Sequence, residues 1–323
     1  MTEQVTVLYV GGAWQKRKRG FGSNVGPDPG FVNVGELWQV WYRGLRENER
    51  CGCGQPFYSC EFRRAVGEEA FGGWDNVDVY KMVAFIPYLK GQRYTPHYTL
   101  TAKAGTRSGK MNTLLEECGP ILERLYQAIQ RVSGAGVIVG SSKRLSYAVL
   151  PSLLPFADLH VVHLLRHSRA VAYSWARSKE SSAVVGDRLM SRLSSSQASR
   201  AWSLQNCLYG FLPGFARLSR LRYEDFVNHP TSCLAETLIR VGFVVEAGSL
   251  PTVRGREISL SVDQTVSGNP ARFRLGTIGL QPDEEWKAKM RGADKNVVTT
   301  LTTPLLLKYG YLGIKKMAKR IRY

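Results

Sequence analysis

Residues 161–175, VVHLLRHSRAVAYSW, place cationic and hydroxyl side chains at a predicted junction between a strand and a helix. Arg166 closes the apolar stretch, and Ser168 and Arg169 open a helical one. Backbone N–H groups and the positive end of a helix dipole make such a junction suited to an anion. Ser174 follows eight residues after Arg166, so a guanidinium and a hydroxyl can close on one phosphate. An ordinary junction with solvated arginines fits the same spacing equally well.

The elements that position these side chains follow from the alternation of apolar stretches with helical patterns. Strands are predicted at residues 4–10, 136–142, 159–166 and 218–226, with helical patterns between and after them. This alternation predicts an α/β fold of three layers, a central parallel sheet flanked by helices. Ligands of such sheets bind at the carboxyl ends of the strands. The candidate positions are therefore residues 11–28, 140–146, 166–174 and 223–226.

The chain of 323 residues reads as a single domain, 1–323, with one unusual segment. Residues 45–115 are rich in Gly, Pro, Tyr and Arg, and they are predicted to form an irregular insertion that covers one end of the sheet. No apolar run reaches the roughly 18 residues that a membrane span needs. The first apolar stretch is too short for a signal peptide, so we expect a cytoplasmic protein without a membrane span.

The net charge of +18 predicts attraction to anions such as nucleic acid, acidic membranes or phosphorylated and sulfated small molecules. The sequence has no helix-turn-helix, zinc-finger or RNA-binding signature. Nucleic acid is therefore not the expected partner, although a basic nucleic-acid-binding protein stays as an alternative.

Three of the six cysteines lie close together in the segment CGCGQPFYSC, residues 51–60. Cys51 and Cys53 are separated by one residue, whereas zinc ligands are usually separated by two to four, and no second pair follows. The spacing favours buried structural thiols, and no metal site is predicted.

The junction at Arg166 resembles the 3′-phosphate-binding motif of sulfotransferases that use 3′-phosphoadenylyl sulfate (PAPS). The segments PGFVNVGELW, CGCGQPF, VIVGSSK, LRYEDFVNHP and VSGNPARFR also resemble, in order, segments of bacterial carbohydrate-type and tyrosylprotein-like sulfotransferases. The resemblance implies a P-loop-type fold and transfer of a sulfuryl group from PAPS to a hydroxyl of a small-molecule or glycan acceptor. It implies no metal. A degenerate relative that binds adenosine 3′,5′-bisphosphate without turnover is the alternative within this family.

The resemblance also implies roles for individual residues. Arg166 and Ser174 would hold the 3′-phosphate of the donor, and Gly11 and Gly12 would begin the loop around its 5′-phosphosulfate. Glu36 would be the general base that takes the proton of the acceptor hydroxyl. A surface carboxylate is the alternative for Glu36.

Further positions are implied around the transferring group and the nucleotide. Lys143 would stabilise charge on the transferring group. Tyr223 would face the adenosine, and Gly268, Asn269 and Arg272 would belong to a C-terminal loop over the nucleotide. A solvated lysine, a packing tyrosine and exposed arginines are the corresponding alternatives.

Residues 14–28, WQKRKRGFGSNVGPD, depart from the pattern of the family. Relatives have a loop like GRSGS here, whose backbone amides wrap the phosphosulfate, followed by a helix. Pro27 and Pro29 oppose that helix. If residues 14–20 are encoded TGG CAG AAG CGG AAG CGG GGT, dropping the first base yields Gly-Arg-Ser-Gly-Ser-Gly. We therefore hypothesise a pair of compensating frameshifts across about residues 14–28, arising either from sequencing errors or from a genuine lesion.

Overall fold

The structure is a computed structural model. It describes residues 4–12, 30–91, 94–104, 109–142, 144–177, 192–213, 215–245, 253–267, 270–273 and 275–313. The statements below concern these residues.

A five-stranded parallel sheet forms the centre of the molecule. Its strands are β1 (Val5–Gly11), β2 (Phe31–Gly35), β3 (Val137–Ser142), β4 (Ala157–Leu165) and β5 (Arg217–Arg222). Their order in the sheet is β2-β3-β1-β4-β5, and all neighbours run parallel. Together with helices on both faces, this arrangement confirms the predicted three-layer α/β fold of P-loop type.

The helices connect and cover these strands. Their bounds are α1 (Glu61–Phe71), α2 (Val79–Lys90), α3 (Thr95–Lys103), α4 (Gly109–Ser133), α5 (Leu145–Val149), α6 (Ser168–Ala176), α7 (Ser195–Leu208), α8 (Tyr223–Asn228), α9 (Pro230–Arg240), α10 (Glu285–Lys289) and α11 (Gly292–Lys308). A 3₁₀ turn at Leu37–Val40 and a π-helical turn at Trp41–Arg46 follow β2, and shorter 3₁₀ turns lie at Phe57–Ser59, Trp74–Asn76, Pro151–Leu153, Tyr209–Phe211 and Pro270–Phe273.

The core lies on both faces of the sheet because side chains alternate along each strand. Val7 and Tyr9 of β1 face a cluster that includes Leu122 and Leu125 of α4. Leu8 and Val10 face the opposite cluster, which includes Leu234 and Leu238 of α9. A central strand buried on both faces explains why β1 reads as an almost continuous apolar run.

Two parts of the sheet differ from the sequence-based expectation. β2 was not predicted, because a composition with Asn33 in the middle, Gly30 before the strand and Gly35 at its end resembles a loop. The last predicted strand ends at Arg222, and α8 begins at the next residue, Tyr223. A second sheet was also not predicted. It is antiparallel and consists of β6 (Val253–Arg254), β7 (Glu257–Leu260) and β8 (Gly276–Gly279).

The expectation of an irregular insertion at residues 45–115 is wrong for its described part, which contains α1, α2, α3 and the start of α4. Most of the described glycines that suggested irregularity lie outside the helices, whereas Gly67 lies within α1. Gly72 ends α1 in the left-handed region (φ 64°), a conformation that glycine adopts without steric cost. Asp78 caps α2 by accepting from the Lys81 N–H at 2.9 Å. Helical packing across the α1–α4 interface therefore replaces the expected loops.

The described helices were compared with the dimensions of a membrane span. None of them combines the length and the apolar character that crossing a bilayer requires.

Candidate active site

Four of the residues singled out in the sequence each come directly after a strand of the parallel sheet. In the order of the sheet, Glu36 follows β2, Gly12 follows β1, Arg166 follows β4 and Tyr223 follows β5. The carboxyl ends of parallel strands lie at one edge of a sheet, where ligands of this architecture bind. This sheet edge therefore carries a carboxylate at one end, glycine at the centre, and an arginine and an aromatic ring at the other end.

The strand register brings the central part of this edge together. Gly11 pairs with Ser142 on one side and with His163 on the other. Gly12 has φ 147°, and a Cβ atom there would lie 2.1 Å from the carbonyl oxygen of Leu164. Glycine is therefore required where β1 leaves the sheet beside β4. The chain enters the altered segment 14–28 from this point.

Arg166 lies at the end of β4 and is 2% exposed. Its Nη2 donates to Asp283 Oδ2 at 2.8 Å. The guanidinium carbon lies 5.2 Å from the centre of the Tyr223 ring, within the range of a cation–π contact. Trp202 Nε1 donates to the Arg166 carbonyl at 3.0 Å and anchors the backbone. The side chain is thus held rigidly, with a carboxylate oxygen occupying one of its anion-binding directions.

Tyr223 closes the same corner from β5. Its ring is buried, and its hydroxyl donates to the Gln281 carbonyl at 3.2 Å. Residues 281–283 therefore lie over the ends of β4 and β5, contacting Tyr223 through a backbone carbonyl and Arg166 through the carboxylate of Asp283. The structure brings the Tyr223 ring and the Arg166 guanidinium together, while any contact of Tyr223 with adenosine stays a prediction.

Helix α6 begins at Ser168, as the sequence predicts. The polar groups of residues 167–169 at its start have hydrogen-bond partners within the protein. His167 Nδ1 accepts from the Arg169 N–H at 3.2 Å, and the His167 N–H donates to Glu224 at 3.0 Å. Ser168 shares a hydrogen bond with Thr302 of α11 at 2.8 Å, and Arg169 donates to Thr299 at 2.7 Å. The helix start is consequently braced by neighbouring elements.

Four cationic side chains lie around His167 at this corner. Burial, followed by the charges of Arg169, Arg222 and Lys287 and that of Arg166, lowers the pKa of His167 to about 4. The imidazole is neutral at pH 7 as a result, and it stacks on Trp286 with 4.9 Å between ring centres. Four cations that disfavour a fifth positive charge on His167 equally favour an anion at this end of the sheet.

Ser174 is half-buried on α6. It lies six residues after Ser168, which corresponds to about 9 Å along the helix axis. The predicted joint hold of Arg166 and Ser174 on one phosphate stays a prediction.

Glu36 lies at the opposite end of the edge, between β2 and the Leu37–Val40 turn. It is half-buried, and within the described part of the chain its carboxylate has no hydrogen bond or ion pair. Burial, then the charges of Tyr209 and Glu36, raise the pKa of Tyr9 well above its usual value, so Tyr9 keeps its proton. The Tyr9 hydroxyl donates to the Ser142 carbonyl at 2.8 Å. Among the described residues, the Glu36 carboxylate is thus without a hydrogen-bond or ion-pair partner, beside the last residues of β1 and β3.

The chain matches no protein-family model and no curated protein. Among solved structures, it is similar to the sulfotransferase domain from the curacin biosynthetic pathway. The two are 15% identical, the alignment covers 94% of this chain and 97% of that chain, and the TM-score is 0.49. The function proposed below rests on the residues of this chain.

Arg272 is 8% exposed, and its guanidinium is held by backbone carbonyls. Its guanidinium donates to the Arg50 carbonyl at 2.8 Å and to the Thr265 carbonyl at 3.5 Å, and burial lowers its pKa. These contacts connect the C-terminal segment to the chain beyond β2. The alternative of an exposed arginine is therefore wrong, and a nucleotide contact from Arg272 stays a prediction.

Several predicted positions lie outside the described residues. They are Lys143, Gly268, Asn269 and the whole of 14–28. Their roles stay predictions from the resemblance.

Asp283 is the site residue that sequence reasoning missed. It lies 117 positions after Arg166, in a segment without a motif, so no local signal marks it as the partner of that arginine. Only the return of the chain from β8 across the ends of β4 and β5 creates the pair.

A small cavity lies behind the strand ends. Its volume is about 20 Å³, and its lining includes Tyr9, Gly35, Ser142 and Tyr147. This volume accommodates about one water molecule and not a nucleotide. An open depression beside Asp158 and Arg217 lies at the amino ends of β4 and β5, the edge opposite the candidate site.

Proposed function

We propose that this chain transfers a sulfuryl group from PAPS to the hydroxyl of a small-molecule or glycan acceptor. The observation that supports it most strongly is the placement of four residues from the sulfotransferase resemblance directly after four strands of the parallel sheet. These residues, Glu36, Gly12, Arg166 and Tyr223, come from separate motifs, the most distant more than 180 residues apart, and lie on one edge.

The donor would bind across the centre of the edge and its cationic corner, the end of β4 where Arg166, Arg169, Arg222 and Lys287 lie around His167. Arg166 would hold the 3′-phosphate, and the Tyr223 ring would support the adenosine beside it. The backbone at Gly12 would approach the 5′-phosphosulfate, since a side chain there would collide with β4. Binding requires the phosphate to take the place of Asp283 on the Arg166 guanidinium, or to use the remaining donors of that group.

The chemistry would take place between Gly12 and Glu36. Glu36 takes the proton of the acceptor hydroxyl as the hydroxyl oxygen forms a bond to the sulfur. The bond from sulfur to the donor phosphate oxygen breaks, and adenosine 3′,5′-bisphosphate leaves with the electron pair. Lys143 would compensate the charge that develops on the transferring group. No metal is needed for this step. Cytoplasmic location and single-domain organisation remain predictions from the sequence.

The altered segment 14–28 favours a second candidate, a protein that binds adenosine 3′,5′-bisphosphate with little turnover. Arg166 and Tyr223 lie in contact at the cationic corner, whereas the sequence of the 5′ side lacks the expected glycine-rich loop. Nucleotide binding at the cationic corner does not require the reacting group to be held precisely at the 5′ side, whereas sulfuryl transfer does.

Thermal unfolding with added nucleotides tests the proposal. Adenosine 3′,5′-bisphosphate at 100 times its Kd is expected to stabilise the protein by about 2.7 kcal/mol. Adenosine 5′-monophosphate at the same concentration is expected to shift the melting temperature much less, because it lacks the 3′-phosphate. Equal shifts from the two nucleotides would contradict the placement of the 3′-phosphate. No shift with the bisphosphate, combined with strongly salt-dependent DNA binding, would favour the nucleic-acid alternative.

A further inference from the structure

Folding brings together three thiols that the sequence spacing argued against as metal ligands. The Sγ atoms of Cys51, Cys53 and Cys60 all lie within 4.8 Å of one another. The distance from Cys53 Sγ to Cys60 Sγ is 3.5 Å. Three sulfurs around a tetrahedral zinc ion lie about 3.8 Å apart, since Zn–S bonds are about 2.3 Å long. The separation of Cys51 and Cys53 along the chain carries no information on where Cys60 returns in space.

A local fold holds this cluster in place. The Gly54 N–H donates to the Cys51 carbonyl at 2.9 Å, and the Cys51 N–H donates to the Gln55 carbonyl at 2.8 Å, which forms a tight turn. Cys60 lies at the start of α1. Cys51 and Cys60 are buried, whereas Cys53 is half-buried.

A fourth donor atom comes from a distant part of the chain. Gln264 Oε1 lies 3.4 Å from Cys51 Sγ and 4.0 Å from Cys60 Sγ. In a tetrahedral zinc site the expected distance between a sulfur and an oxygen ligand is about 3.6 Å. The backbone reinforces this approach, because the Gly52 N–H donates to the Thr265 carbonyl at 2.7 Å. A Cβ at position 52 would lie 2.1 Å from Asp263 Oδ1, so only glycine permits this contact.

A buried cation provides independent support. Arg63 is 0% exposed and donates through Nη2 to the Gln264 carbonyl. Its Nε and Nη1 atoms have no hydrogen-bond partner among the described residues. The Phe57 and Phe62 rings lie 5.9 and 5.3 Å from its guanidinium carbon, but among the described residues no carboxylate pairs with it. A buried guanidinium without a counter-ion is costly and calls for a neighbouring negative charge. Three thiolates and one divalent cation sum to one negative charge, which Arg63 balances.

We propose that Cys51, Cys53 and Cys60, with the Gln264 side-chain oxygen as fourth donor, form a tetrahedral site for Zn²⁺. Soft thiolates and a four-donor cage select zinc over the oxygen-bound cations magnesium and calcium. The ion joins the turn at residues 51–54 to the segment 263–265, which bonds to β2 through the Gln264 N–H and the Asn33 carbonyl at 3.1 Å. Its role is to fasten this side of the fold beyond β2. The site does not depend on the proposed transfer reaction.

Elemental analysis of the full chain, expressed with zinc and purified under reducing conditions, tests the site. About one zinc per chain is expected for the wild type. Cys53→Ser is the principal variant, because its half-buried side chain makes unfolding the least expected, and it should lose most of the zinc. Cys207→Ser is the matched control, since Cys207 is exposed and distant in sequence, and it should retain the metal.

Cobalt substitution keeps the test decisive if a variant does not fold. Co²⁺ exchanged into the wild-type chain is expected to show thiolate-to-metal charge transfer and strong tetrahedral visible bands. Gln264→Ala should preserve the charge transfer and alter the visible bands, because one oxygen donor changes. A wild-type chain without zinc and without cobalt charge transfer would overturn the proposal. Equal zinc in the wild type and in Cys53→Ser, or a Cys53–Cys60 disulfide in the reduced preparation, would also overturn it.

Discussion

The Arg166 guanidinium lies 2.8 Å from the Asp283 carboxylate at the carboxyl end of β4. The arginine side chain is almost fully buried, whereas that of Asp283 is 24% exposed. A carboxylate in this position resembles a phosphate in charge and in hydrogen-bonding capacity. The pair both preorganises Arg166 and competes with any anion that binds there.

Removing this competitor should have opposite effects on stability and on affinity. Asp283→Asn leaves the buried Arg166 without its counter-ion, so we expect the free energy of unfolding of the ligand-free protein to fall by about 1–3 kcal/mol. The bisphosphate no longer has to displace a carboxylate, so its affinity should rise roughly tenfold, or about 1.4 kcal/mol. Calorimetric titration and urea unfolding measure the two effects. Glu284→Gln, an exposed neighbour, is the control; unchanged or weaker binding by Asp283→Asn would show that Asp283 does not compete.

Arg166 itself should be the main determinant of nucleotide affinity. Arg166→Ala is expected to weaken binding of adenosine 3′,5′-bisphosphate by about 1.5–3 kcal/mol, the typical value of a charge-assisted hydrogen bond. Arg166→Lys, which preserves the charge but not the planar donor geometry, should have a smaller effect. Arg217→Ala provides the control because Arg217 is exposed at the amino end of β5. A folded Arg166→Ala variant with wild-type affinity would exclude Arg166 from the binding site.

Glu36 should separate chemistry from binding. Glu36→Gln preserves shape and removes the base, so turnover should fall by about 10²–10⁴-fold while bisphosphate affinity is unchanged. The assay follows transfer from labelled donor in a form of the protein that turns over. Glu116→Gln, an exposed carboxylate on α4, should retain activity. Full turnover by Glu36→Gln would mean that another group takes the proton.

His167 should create a pH dependence of stability. Its pKa is about 4 in the folded protein and about 6.5 in the unfolded chain, so between these values the unfolded state binds more protons. Stability is therefore lost as the pH falls from about 6.5 toward about 4, by up to about 3 kcal/mol.

His167→Asn removes this titration and keeps an oxygen that can cap α6. Urea unfolding of both proteins across this range measures the effect, because carboxylates that titrate in both cancel in the difference. A constant difference between the two proteins over the whole pH range would contradict the prediction.

The chain as written should transfer little sulfuryl group. The run of lysine and arginine at residues 16–19 attracts the donor, but charge alone does not hold a reacting group in line. The frame-restored segment 14–28 should raise turnover by orders of magnitude in a parallel assay with a panel of hydroxyl acceptors. Resequencing the gene tests the frameshift hypothesis directly. Robust transfer by the chain as written would show that the altered loop is functional.

The sequence by itself determined the fold class and the edge at which the candidate residues lie. Periodic apolar stretches marked β1, β3 and β4, because strands buried on both faces must be apolar throughout. The residue after a strand of a parallel sheet lies at the carboxyl edge wherever that strand stands, so Arg166 and Gly12 were placed by local sequence alone. The helices at 61–71 and 79–90 were missed because the intervening glycines resemble loop composition.

Only the tertiary structure decided which distant groups meet. Asp283 reaches Arg166, and Gln264 reaches Cys51, because segments far apart in sequence return across the sheet. Sequence spacing reports the separation of ligands along the chain, whereas a binding site depends on their separation in space. For Cys60, which α1 and its preceding turn carry back to Cys53, the two measures disagree. Long-range packing, which no local pattern encodes, therefore created the ion pair at the cationic corner and brought Gln264 to the thiols. The clustering of the three thiols themselves comes from the local turn and the start of α1.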